Sequence, residues 1–157
     1  VNERFVLWAS TNAFTTWVIR HVATRLDPWL FKASNGRFTS MGKPSMPMVT
    51  LMTAGAKTGK PRPVHLACIE HEGQRLVVAS AMGQQRHPAW RYNLEAHPEI
   101  GVQAPGERYR ARAELLDDRE KDAVWPLIKE TIPQMVVYEQ RTDRNIGVFR
   151  LVPLTDS

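Results

Sequence analysis

Between Gly55 and Arg62 the chain reads GAKTGKPR, with two glycines, two lysines and an arginine between apolar runs. Lys57, Lys60 and Arg62 suit an anion, and the glycines let backbone N–H groups converge on one. A P-loop needs four residues between its glycines and a Ser or Thr after its lysine. Here three residues separate Gly55 from Gly59, and Pro61 stands where the Mg²⁺-binding hydroxyl should be. Pro61 also forbids the helix that should start there, so this is not a nucleotide triphosphatase loop. It reads as a basic turn between two strands. On spacing alone a solvated hairpin tip would look the same.

A second anion site is expected where HPAWRYNLEAHP begins at His87. His87 can cap a helix, Pro88 suits the first helical position, and Trp90 and Leu94 share a face four residues apart. Helix N-termini carry free N–H groups and a partial positive charge, and Arg86 and Arg91 flank this one. An ordinary capped surface helix is the competing reading.

Other chemistries find less support. The histidines at 21, 65, 71, 87 and 97 include no pair at helical metal-ligand spacing, so no metal site is expected. Cys68 lies in an apolar run and reads as a buried core residue rather than a catalytic thiol. There is no G-x-S-x-G elbow and no G-x-G-x-x-G after a strand. Arg108, Arg110 and Arg112 line one strand face. No aromatics interleave with them, so they read as a solvated outer face, and nucleic acid is not an expected partner.

These residues need elements to hold them. Residues 4 to 26 have the spacing of a helix, with Trp8 and Trp17 beside Arg4, Arg20 and Arg25, and Asp27-Pro28 ends it. Its aromatic stripe suits core packing, a dimer contact or a membrane surface. Residues 28 to 47 read as a linker. Strands are expected at 48–53, 62–71 and 75–80, the second buried on both faces. After the helix at Pro88, EIGVQA and ERYRARAELL form a hairpin. Tyr109, Ala111, Ala113 and Leu115 are its buried side. Asp117 caps the next helix with Glu120 in capping-box position, and that helix runs until Pro133 disturbs it. NIGVFRLVPL is the last strand. The expected fold is α+β: a mostly antiparallel barrel with flanking helices and an N-terminal helix.

The bulk numbers agree with one domain. The chain has 157 residues, 43% of them hydrophobic, and a net charge of +5 that favours anionic partners. One cysteine allows no disulfide within the chain, which suits a reducing cytoplasm. No apolar run is long enough to span a bilayer. Val1 stands first with no signal-peptide pattern. A trimmed start is expected, and a leader ahead of it stays open.

TLMTAGAKTGKPRPVHL, LVVASAMG, HPAWRYNLEAHPEIGVQ, WPLI and RTDRNI together resemble, in order, the deazaflavin-dependent nitroreductase family, actinobacterial reductases that use coenzyme F420. The resemblance runs from about residue 48 to 153. The family's G-x-K-[ST]-G-x-P-R loop is complete. Its N-P-x-W-x-x-N-L segment departs only at His87. The resemblance implies a split β-barrel like that of flavin-mononucleotide-binding oxidases, with residues 48–157 as the deazaflavin-binding unit and 1–47 as helix and linker of the same single domain.

The resemblance also implies what the anion is: the phosphodiester and oligoglutamate tail of the reduced cofactor, F420H2. Gly55, Ala56, Lys57, Thr58, Gly59, Pro61 and Arg62 would hold it. Pro63, Val64 and His65 would run beside tail and ring, and Ala79, Ser80, Ala81 and Met82 would border the ring. Ala89, Trp90, Arg91, Tyr92 and Asn93 would close the phosphate side.

In the family a cluster of tyrosines lines the acceptor side. Here Ile132 and Met135 take two of those positions, and Tyr138 remains as the expected proton or hydrogen-bond donor. Ala67 and Ala81 replace a tyrosine and a serine on the barrel side. The implied activity is hydride transfer to a small electron-poor acceptor such as a quinone or nitroaromatic. Reduction of an activated C=C bond and cofactor binding without turnover are the alternatives. A homodimer, a cytoplasmic location and contact of the N-terminal helix with the inner membrane face complete the expectation.

Overall fold

Alternating strands dominate from Met48 onward because side chains two apart repeatedly share one apolar face. The computed structural model describes residues 46–155 together with Ala33. The expected N-terminal helix at 4 to 26, and all of the linker but Ala33, Met46 and Pro47, lie outside the described residues. The strands are β1 (Met48–Ala54), β2 (Pro61–His71), β3 (Gln74–Val78), β4 (Glu99–Ala104), β5 (Glu107–Leu115) and β6 (Val148–Pro153). They close into a barrel in the order β1-β2-β3-β6-β5-β4, and every pairing is antiparallel. Closure leaves no free sheet edge.

The helices are α1 (Ala89–Ala96), α2 (Asp118–Thr131) and α3 (Gln134–Arg141). Strand parity splits the core into two parts. Val49, Leu51, Cys68, Val77, Phe149 and Leu151 fill the barrel, joined by Trp90 and Leu94 of α1. Their neighbours Ile69, Leu76, Val78 and Val148 point outward and meet Val124, Ile128, Ile132, Met135 and Tyr138 on α2 and α3. The low polarity on both faces of β3 and β6 follows from this double burial. Trp90 packs on Phe149 with ring centroids 5.9 Å apart. Cys68 is a core residue, and burial pushes its thiol up to about 11.

Four expectations are corrected. β2 is buried on both faces only at Cys68 and Ile69; Pro61, Arg62 and Pro63 are exposed, because the helical layer covers only the distal half of the strand. Leu115 is exposed, and the next residue, Leu116, enters the outer core instead, where the chain leaves the barrel for α2. The single late helix is two. Asp117 and Glu120 form the capping box of α2, and Pro133 then starts α3. His87 does not cap α1: Pro88 is the N-cap, and no side chain bonds there. Among the described residues, no helix is long and apolar enough to cross a membrane.

Candidate functional site

The basic loop joins β1 to β2 and is closed by two backbone hydrogen bonds. The Gly55 N–H donates to the Lys60 carbonyl at 2.8 Å, and the Gly59 N–H to the Gly55 carbonyl at 2.8 Å. Gly59 has φ +65°, a conformation glycine adopts without penalty. Lys57, Lys60 and Arg62 are exposed, and none has a carboxylate partner among the described residues. The amides of Lys57 and Thr58 likewise have no hydrogen-bond partner among the described residues. Three unpaired cations and two free donors on a fixed turn suit a polyanionic ligand.

Asn93 holds this loop to α1. Its side-chain oxygen accepts from the Ala56 N–H at 2.9 Å, and its amide nitrogen donates to Thr53 Oγ1 at 3.4 Å. The Thr53 hydroxyl donates in turn to the Arg62 carbonyl. Asn93 is buried, so its polar atoms need these partners. Asn93→Ala is expected to cost about 1–3 kcal/mol, the penalty for stranding a buried polar group. Urea denaturation would measure it, and hydrogen exchange should quicken at Ala56 first. Parental stability would remove the stitch from the account.

The segment after β3 forms the second part. Ala79 is buried, and Ser80, Ala81 and Met82 are half-buried. Ala81, Met82 and Gly83 adopt φ values of 46°, 54° and 74° in a short 3-10 turn. Two non-glycine residues in the left-handed region cost about 1–3 kcal/mol each, so the surroundings must enforce the shape. α3 abuts the turn so closely that a Cβ on Gly83 would lie 2.9 Å from the Tyr138 Cα. Arg144 donates to the carbonyls of Ala79 at 2.9 Å, Gln84 at 2.7 Å and Ser80.

α1 links the two parts. At its start, His87 Nδ1 lies 2.9 Å from Arg91 Nη1 and 3.1 Å from Arg144 Nη1. Burial and the two guanidinium groups hold the His87 imidazole below its usual range. Arg91 also pairs with Glu95 at 2.9 Å. Of the residues expected on the phosphate side, Trp90 points into the barrel core and Asn93 serves the loop. Ala89 and Tyr92 face solvent. On β2, Val64 and His65 are half-buried, and His65 Nδ1 lies 3.0 Å from Thr50 Oγ1.

Ile132, Met135 and Tyr138 come together in the outer core, with Ala67 and Met82 packed against the same cluster. The expected acceptor wall and the end of the expected ring border therefore meet. Gly83 and Arg144 were missed by sequence reasoning. Each lies in a stretch that carried the resemblance, LVVASAMG and RTDRNI, but neither shows its role in its residue type. Arg110 and Arg112 both pair with Glu99 across the β4–β5 hairpin, at 3.2 and 3.0 Å.

The model of a family described as F420H(2)-dependent quinone reductase matches residues 23–153. An F420H(2)-dependent quinone reductase of Mycobacterium tuberculosis strain H37Rv is 30% identical over 141 residues, covering 86% of this chain and 95% of its own. A solved F420-H2 dependent reductase, FDR-A, is 37% identical with a TM-score of 0.61, covering 67% of this chain and 93% of its own. A second solved structure, described as a domain-swapped dimer, is 32% identical with a TM-score of 0.63, covering 79% and 97%. The barrel is thus the split barrel of these reductases, and the chain belongs to the F420H(2)-dependent quinone reductase family.

Proposed function

We propose that this chain is an F420H2-dependent reductase that delivers a hydride to a quinone or a similarly electron-poor small molecule. One observation carries the reading. α1 ties an unpaired basic loop, through Asn93, to the Ala79–Gly83 segment, through His87 and Arg144. Asn93 lies four residues into α1, about 6 Å of helical rise from Ala89, and His87 stands two residues ahead of that start. A ligand with an anionic tail and an apolar ring fits such a pair of sites.

Lys57 and Arg62 bind the tail, with Thr58 and the free loop amides adding hydrogen bonds. Pro63, Val64 and His65 flank it along β2, and Ala79 to Met82 border the ring. When bound, the reduced deazaflavin supplies the hydride from its own ring carbon. The chain's residues position the reactants and exclude water. A reduced quinone carries negative charge until protonated, and Tyr138 is the hydroxyl nearest in kind to the donor required. Ala67, Ile132 and Met135 make the acceptor wall apolar, which also favours a second reading, reduction of an activated C=C bond. The domain-swapped relative supports pairing of two copies of this chain. Trp8 and Trp17, in sequence beside arginines, support contact of the N-terminal segment with a membrane surface.

Side-by-side fluorescence titrations with coenzyme F420 and flavin mononucleotide test the reading. F420 is expected to bind more tightly, with an affinity that falls as salt rises, and F420H2 should then be oxidised by members of a quinone panel. Tighter binding of flavin mononucleotide would overturn the cofactor assignment. Tight F420 binding without oxidation by any quinone or enone would leave a carrier instead of an enzyme.

A further inference from the structure

Arg144 lies between α3 and β6, outside every stretch expected to touch a ligand. Yet its guanidinium is spent on one neighbouring segment. Nη1 donates to the Ala79 carbonyl at 2.9 Å, Nη2 donates to the Ser80 carbonyl, and Nε donates to the Gln84 carbonyl at 2.7 Å. Nη1 also reaches His87 Nδ1 at 3.1 Å. The side chain pairs with no carboxylate among the described residues.

The consequence follows from peptide geometry. In a trans peptide the N–H points opposite to the C=O. Holding the carbonyls of Ala79 and Ser80 against Arg144 turns the N–H groups of Ser80 and Ala81 away from it. Those two amides have no hydrogen-bond partner among the described residues, whereas the Ala79, Gly83 and Gln84 amides are bonded to backbone carbonyls. Two adjacent donors are left open at the point where the chain enters its left-handed turn.

We propose that Arg144 is a positioning residue that aims the Ser80 and Ala81 amides as paired donors to the carbonyls of the deazaflavin ring. This rests on the F420 reading of the same site. His87 completes the device by accepting from both Arg144 and Arg91 through Nδ1, which requires the neutral imidazole. Arg91, Glu95 and Tyr92 of α1 and Arg144 are the charged and titratable groups facing it. Protonation would set a cation between two guanidinium groups and remove their shared acceptor.

Arg144→Lys tests the assignment, because lysine keeps the charge but cannot span three carbonyls. F420 affinity is expected to fall about tenfold or more, the scale of one charge-assisted hydrogen bond. The absorbance band of the bound cofactor should shift towards that of the free form. Hydrogen exchange without cofactor should quicken at the bonded amides of Ala79, Gly83 and Gln84. Faster exchange with a parental affinity and spectrum would reduce Arg144 to a structural brace and overturn the proposal, as would no change in any readout. His87→Asn supplies a neutral acceptor that cannot titrate. Its F420 affinity should stay flat where the parent's weakens, at a pH lower than the ordinary histidine value of 6.5, because burial and the two guanidinium groups hold the imidazole's pKa down. Equal pH profiles would exclude His87 from the device. A parent that binds no F420 overturns the functional reading, and the cofactor-free exchange measurement tells that failure apart from failure of the clamp.

Discussion

Replacing Lys57 or Arg62 with alanine is expected to weaken F420 binding by about 1.5–3 kcal/mol each, the usual scale for hydrogen bonds to charged groups. The structure shows why the loss should fall on binding alone. Both side chains are exposed and have no ion-pair partner among the described residues, so folding gains little from them. The loop's shape comes from elsewhere: the Gly55–Lys60 backbone bond and the Asn93 stitch. Fluorescence titration at low and physiological salt is the measurement. The penalty should shrink as salt rises, because exposed charges are screened over about 8 Å at physiological ionic strength. Thermal unfolding of both variants should match the parent. Parental affinity in both variants would place the anionic tail elsewhere on the surface.

The fate of the sequence expectations follows from how locally each feature is encoded. The basic loop, the hairpin around Gly106 and the Asp117–Glu120 capping box depend on neighbours in the chain, and their residue types announce them. Burial is less local. β2 looks uniformly buried in sequence, yet α2 and α3 shield only its second half, and no short window contains that fact. Leu115 and Leu116 show the same limit at single-residue scale, because the exit from the barrel shifts the alternation by one.

The candidate site is legible in sequence where a feature follows residue type, as with exposed cations on a glycine turn. It is not legible where a side chain's partners come from distant parts of the chain. Asn93 is expected on the phosphate side, and its side chain also holds the loop across 37 residues of sequence. Trp90 looked like part of the phosphate side and fills the barrel. Arg144 reaches back about sixty residues to carbonyls that no side-chain pattern reveals.

Gly83→Ala is expected to be the most damaging single methyl group in the described barrel. Two separate costs add. At φ +74° any residue with a Cβ adopts the left-handed region at about 1–2 kcal/mol. The new Cβ would also sit 2.8 Å from the Arg141 Cβ and 2.9 Å from both the Cα and the carbonyl oxygen of Tyr138. Two of those three are backbone atoms, which cannot rotate aside, so α3 must retreat, and overpacking of this kind costs about 1–3 kcal/mol more. Gly106→Ala separates the two costs, because Gly106 has φ +78° and nothing within 4 Å of its missing Cβ. Urea denaturation should therefore show a loss of about 2–5 kcal/mol at Gly83 against about 1–2 at Gly106. The retreat has a functional direction as well. It would draw Met135 and Tyr138 away from Met82 while leaving the Gly55–Arg62 loop in place. Turnover of quinones should consequently fall further than F420 affinity. Equal stability losses in the two variants would show that α3 does not press on the turn. Equal losses of turnover and affinity would separate the α3 wall from the acceptor.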